Sequence, residues 1–218
     1  MTEPAFVVFV NPPPLPDMTA NHEATSGMGG STPGAGGFAY PPHTLAACLS
    51  HARSAGFGTA VADGFAARPA VFARELAATE ANVLAILVSV GTAEADLNFL
   101  RLLRQAQGRG DRPKLLLLGP SAHLVATGWV EAGLADAVLL GEPELALADA
   151  LATVQAGRRG DIPAAELAPA AYSAANLVRD LDAPLFPAWT PHPGSRTGWR
   201  PFFRAGAVPR VAGSAPTR

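Results

Sequence analysis

Short apolar runs alternate along this chain with alanine-rich, helix-spaced stretches, and that alternation limits the fold more than any other feature. Ala5–Val10 is a continuous run of apolar residues, rich in β-branched and aromatic side chains. Such a run reads as a strand buried on both faces, the situation of a parallel sheet. Pro12, Pro13 and Pro14 end it, because proline cannot donate to a strand ladder. Gly58–Asp63, Asn82–Ser89, Lys114–Leu118 and Ala135–Leu140 are four further strand candidates.

Between these runs the spacing is helical. His43–Ala55 places Leu45, Cys48, Leu49 and Ala52 on one face, with Pro41 and Pro42 at its start and Gly56 in the C-terminal glycine position. Residues 69–80 carry Val71, Phe72 and Leu76, and residues 93–106 carry Leu97, Leu100, Leu102 and Leu103 in amphipathic spacing. His123–Ala132 is a shorter helix closed by Gly133. Another runs from Gly141-Glu142-Pro143-Glu144 to about Gln155, with acidic residues in its first turn where the dipole favours them.

Strands alternating with helices imply right-handed crossovers and a parallel sheet covered on both faces. The expectation is a three-layer α/β domain over residues 1–156, flavodoxin-like (Rossmann-like), with a five-stranded parallel sheet in the order 2-1-3-4-5. Sheets of this kind bind ligands outside the carboxyl ends of their strands, at the switch point. Residues 11–42 read as a long loop without regular structure, because Gly27, Gly29, Gly30, Gly34, Gly36, Gly37 and several prolines break every pattern. A loop of that length is either functional or a floppy insertion. Residues 157–218 read as a linker or tail, partly disordered, in which Leu181–Trp189 is the one stretch with the apolar content to pack back on the domain.

Composition removes several classes of function. The net charge is −2, and the arginines near the end (Arg196, Arg200, Arg204, Arg210, Arg218) are spread without period, so a solvated tail is expected there and no nucleic-acid partner. Cys48 is the single cysteine, which rules out an internal disulfide and any iron–sulfur cluster made by this chain alone. It lies in an apolar helical pattern and reads as a small core residue. No run of about 18 apolar residues offers a membrane span, and Met1-Thr2-Glu3-Pro4 lacks the basic start of a signal peptide, so the expected location is the cytoplasm. There is no Gly-x-Ser-x-Gly, no phosphate loop of Walker type and no Gly-x-Gly-x-x-Gly after the first strand, so no catalytic centre is legible in this chain alone.

Several turn motifs, taken in order, carry a resemblance. They are the first strand with Asn11-Pro12-Pro13, then Pro41-Pro42 with Leu45–Leu49 and Ala55-Gly56, a strand ending in Ser89, Leu118-Gly119-Pro120-Ser121-Ala122-His123, Asp136–Leu140 with Gly141-Glu142-Pro143-Glu144, and Leu181–Trp189. Over residues 5–190 the pattern resembles the cobalamin-binding domain at the N-terminus of cobalamin-dependent radical S-adenosylmethionine enzymes.

That resemblance implies a module that binds cobalamin. It carries no Cys-x-x-x-Cys-x-x-Cys run and ends at Pro216-Thr217-Arg218, about where the radical domain would begin. The implied protein is thus stand-alone, a subunit of a split radical S-adenosylmethionine enzyme, or the remnant of a truncated gene. The Asp-x-His-x-x-Gly motif of methionine-synthase-like domains is also absent, so the resemblance implies no protein imidazole beneath the cobalt, with His22 and His43 the candidates in that region.

By the same resemblance, Asn11, Pro12 and Pro13 lie against the corrin face, and Ser89 and Thr92 hydrogen-bond the nucleotide tail or its phosphate. Gly91 and Gly119 give the ligand access, His123 meets the corrin amides and Glu142 accepts from amides or the ribose, with Val90, Pro120, Ser121, Gly141 and Pro143 completing the cofactor-binding set. Each has a plainer reading beside it. Ser89 and Thr92 could cap the following helix, Gly91 and Gly119 could be turn glycines, His123 could be a surface histidine, and Glu142 could offset a helix dipole. Two other functions compete with the carrier: a non-catalytic regulatory or interaction domain that has lost the cofactor, and a small α/β enzyme acting on a nucleotide.

Overall fold

The computed structural model describes residues 5–34, 40–108, 112–139, 143 and 147–151. Five strands form one all-parallel sheet: β1 (Phe6–Asn11), β4 (Gly58–Asp63), β5 (Val83–Leu87), β6 (Lys114–Leu118) and β7 (Ala137–Val138). Their spatial order is β4-β1-β5-β6-β7. Numbered among themselves along the chain, the sheet strands stand in the order 2-1-3-4-5, the flavodoxin-like arrangement that the alternation predicts. The chain reverses its direction of winding between β1 and β5, which makes the carboxyl ends of those neighbours the switch point.

Burial follows from the strand compositions. Val83–Leu87 is buried along its whole length, with β1 on one side and β6 on the other. Alternate residues of the central strands feed two separate cores. Val8, Val10, Leu84, Ile86, Leu115 and Leu117 meet α3 (Pro69–Ala77) and α4 (Ala93–Gln107) through Phe72, Leu76, Phe99, Leu100 and Leu103. Val7, Phe9, Ala85, Leu87 and Leu116 meet α2 (His43–Ser54) through Leu45, Cys48 and Leu49, and the helical residues 147–151 through Leu147, Ala150 and Leu151. Cys48 is thus a buried core residue.

Local signals place most helix ends. Gly56, at φ +88°, closes α2: its N–H bonds to the Arg53 carbonyl and the Phe57 N–H to the Ala52 carbonyl, the paired bonds of a Schellman end. Pro69 starts α3 in the position where proline is tolerated. On α4, Phe99, Leu100 and Leu103 are buried, whereas Leu97 and Leu102 are only half-buried, so the true core stripe is displaced from the leucines alone. The Arg104 guanidinium bonds Asp136 at 2.9 Å and the Leu134 carbonyl at 3.1 Å, joining α4 to the segment before β7. Burial draws the Arg104 pKa below its ordinary value, and the Asp136 carboxylate opposes that shift.

Two readings need correction. The stretch predicted as one helix over 123–132 is a 3₁₀ turn at Ala122–Leu124 followed by α5 (Ala126–Glu131), and β7 covers only two residues of the predicted 135–140. More consequentially, the described residues of 11–42 are not wholly irregular. Met18–Asn21 (β2) pairs antiparallel with Gly30–Pro33 (β3), and α1 (Ala24–Gly27) lies between them. The hairpin begins at a tight turn in which the Met18 N–H bonds the Leu15 carbonyl at 3.1 Å, with Pro16 first and Asp17, at φ +59°, second. Strands this short show no readable alternation, and their partners outside the hairpin are remote in sequence. The 157–218 tail, Leu181–Trp189 included, lies outside the described residues. No helix among the described residues is long and apolar enough to cross a membrane.

The Phe72 and Phe99 rings lie 5.8 Å apart, tilted by 33°, and join α3 to α4. Phe99→Ala should therefore cost about 3–5 kcal/mol of stability in urea unfolding. A loss below about 1 kcal/mol would show that this ring pair does not hold the two helices together.

Candidate functional site

The loops after β1, β5 and β6 stand side by side at the carboxyl edge of the sheet, and the β2–α1–β3 insertion lies on them. Its attachment is polar. Ser121, nearly fully buried, accepts the Val90 N–H at 3.2 Å and donates to the Gly27 carbonyl at 3.0 Å, so one hydroxyl joins the β5 loop, the β6 loop and the insertion. The Gly91 N–H donates to the Met28 carbonyl at 2.7 Å, and the Gly91 carbonyl accepts the Ser31 hydroxyl at 3.1 Å.

Approach this close requires glycine on both sides. A β-carbon on Gly29 would collide with the Ser89 hydroxyl, and one on Gly91 would collide with the Gly29 carbonyl.

Beneath this contact lies a buried network. The Asp96 carboxylate, in the first turn of α4, is 0% exposed. One oxygen meets His22 Nε2 at 2.7 Å; the other accepts the Thr92 hydroxyl at 2.8 Å and the Ser89 N–H at 3.2 Å. Thr92 spends its only proton on Asp96, so in the 2.6 Å contact between the two hydroxyls Ser89 is the donor. His22 Nε2 is the ring nitrogen that faces Asp96. His22 Nδ1 is buried and has no hydrogen-bond partner among the described residues.

The next residue, Glu23, reaches the opposite layer. Its carboxylate accepts the Thr44 N–H at 2.9 Å and the Thr44 hydroxyl at 3.3 Å, capping the start of α2 from a distance in sequence. His22 and Glu23 thus fasten the insertion to helices on the two faces of the sheet.

The residues singled out from sequence divide into three groups. Ser89, Val90, Gly91, Thr92, Pro120 and Ser121 are brought together: Gly91, Pro120 and Ser121 meet the insertion, Ser89 packs on Gly29 and bonds Asp96 through its N–H, Thr92 bonds Asp96, and the Val90 N–H bonds Ser121. Neither Ser89 nor Thr92 caps a helix through its side chain.

Asn11, Pro12 and Pro13 are buried beside β4, where the Asn11 side-chain amide donates to Asp63 at 2.8 Å and Gly64 packs on the backbone of Asn11 and Pro13. Gly119 is buried and His123 half-buried in the turn after β6. Gly141 and Glu142 lie outside the described residues, and Pro143 is buried. His43 is exposed at the first residue of α2, while His22 is committed to Asp96.

Sequence reading missed Asp96, Glu23 and Ser31 as partners in the site. One signal was available for Asp96: it shares the apolar stripe of α4 with Phe99, Leu100 and Leu103. Among the described residues, no group of three or more His, Cys, Asp or Glu is placed to hold a metal ion.

Asp96→Ala removes the acceptor for three donors and strands the buried His22 ring. It should cost about 3–5 kcal/mol in urea unfolding, and Thr92→Val about 1–3 kcal/mol. If Asp96→Ala stays within about 1 kcal/mol of the parent, the network does not hold the edge together. Comparison with protein-family models, with curated proteins and with solved structures finds no match, so the functional reading rests on the residues of this chain.

Proposed function

We propose that this chain is a cobalamin-binding module serving, as a stand-alone protein or a split subunit, a separate radical S-adenosylmethionine enzyme. The observation that supports it is the convergence of Ser89–Thr92 and Gly119–Ser121 at adjacent strand ends beside the switch point. In this reading Ser89, Thr92 and Ser121 offer hydroxyls, and Val90 and Gly91 offer N–H groups, for a nucleotide tail. Asn11–Pro13 and His123 take the corrin side. A bound corrinoid would supply a methyl or electron carrier, and the chemistry on substrate would belong to the partner. The fit carries a condition: the hydroxyls are engaged with the insertion and with Asp96, so the tail can use them only by displacing those bonds.

That same engagement favours a second reading, a regulatory or interaction domain whose crevice is filled by its own chain. The two readings part in one experiment, an absorbance titration of the full chain with hydroxocobalamin followed by gel filtration. The carrier reading expects the corrin bands to shift and to travel with the protein, and a shift weakened by Ser121→Ala. Corrin that elutes apart from the protein under both oxidising and reducing conditions overturns it and leaves the filled-crevice reading, which expects a protein partner and no corrinoid spectrum.

A further inference from the structure

The β2–α1–β3 insertion differs from the rest of the domain in what holds it. Among the described residues from 12 to 44, none belongs to either hydrophobic core. Ala20 is the one buried hydrophobic side chain that β2 contributes. Attachment runs instead through Ser121–Gly27, Gly91–Met28, Ser31–Gly91, His22–Asp96 and Glu23–Thr44. Segments with few apolar contacts open at a free energy well below that of global unfolding, whereas the strands β1, β5 and β6 open only with the whole core.

From this contrast we infer that residues 18–33 are a lid: a unit that swings off the switch point while the five-stranded sheet stays folded. Its pivots are the Leu15–Met18 turn and Gly34, whose N–H bonds the Asp17 carbonyl at 2.8 Å, so the two ends of the unit stay clasped together. Opening frees the Ser121 hydroxyl and the Gly91 N–H, whose partners Gly27 and Met28 leave with the unit, and uncovers the Ser89 hydroxyl, against which Gly29 is packed. The His22–Asp96 pair is the latch. It is the attachment in which both side chains are buried, and separating it leaves a carboxylate and an imidazole to be resolvated together. Among the described residues His22 Nδ1 is the buried nitrogen left without a partner, and it marks the cost of the closed state, in which no water reaches that atom. The inference concerns the chain without ligand and stands whether or not a corrinoid binds.

Amide hydrogen exchange on the full chain, followed by mass spectrometry over a series of sub-denaturing urea concentrations, tests it. In the parent protein the amides of 18–33 and of Gly91 should exchange at least about 100-fold faster than those of β1, β5 and β6, with little dependence on urea. Gly91→Ala, which pushes a methyl group into the Gly29 carbonyl, and His22→Gln should each raise exchange in 18–33 by at least about tenfold and leave the sheet unchanged. The lid is overturned if in the parent protein the insertion and the sheet exchange together with the same urea slope, or if the two variants accelerate both alike. The parent measurement decides the matter even if a variant fails to fold.

Discussion

A carboxylate with no exposed surface governs the carboxyl edge of the sheet in this domain. Asp96 enters the interior on the apolar stripe of α4, and an unpaired charge there would be costly. Its oxygens are answered by His22 from the insertion, Thr92 from the turn before the helix and the Ser89 N–H from the end of the β5 segment. Those partners fix where the insertion can lie. Once His22 is drawn to Asp96, Glu23 falls on Thr44 across the sheet, and Gly27–Gly29 meets Gly91 and Ser121 backbone to backbone.

The consequence for function is that the switch point is built in two parts. One part is rigid: parallel strands held by two apolar cores, with their carboxyl ends aligned. The other is a polar insertion set on those ends, fastened by hydrogen bonds that a ligand could compete for. The Ser121 hydroxyl holds the insertion through Gly27, while Ser89 and Thr92 bond each other and Thr92 bonds Asp96. In the proposed carrier, a ligand and the insertion would compete for the Ser121 hydroxyl and the Gly91 N–H.

The sheet and its helices were legible because their determinants are local and repeated. Val83–Leu87 is apolar at every position, which no surface strand tolerates, and the Gly56 end of α2 follows from neighbours in the chain. The insertion was illegible for the opposite reason. Strands of four residues around several glycines carry no period, and glycine at 29 and 91 serves a contact between segments 62 residues apart that no local signal marks. Leu97 and Leu102 misled in a smaller way: spacing alone placed them in the core stripe of α4, but neighbouring α3 selects Phe99 instead.

By itself the sequence determined the layered α/β class, the parallel order of the five sheet strands and the edge at which a site could form. Apolar runs and helix periods are written into consecutive residues and need no partner to be read. Tertiary structure alone decided what occupies that edge. The insertion that packs on Ser89 and bonds Ser121 is tied down where His22 reaches Asp96 across 74 positions of sequence. A buried charge selects its partner by proximity and geometry in the folded state, and nothing in the linear order of residues encodes that choice.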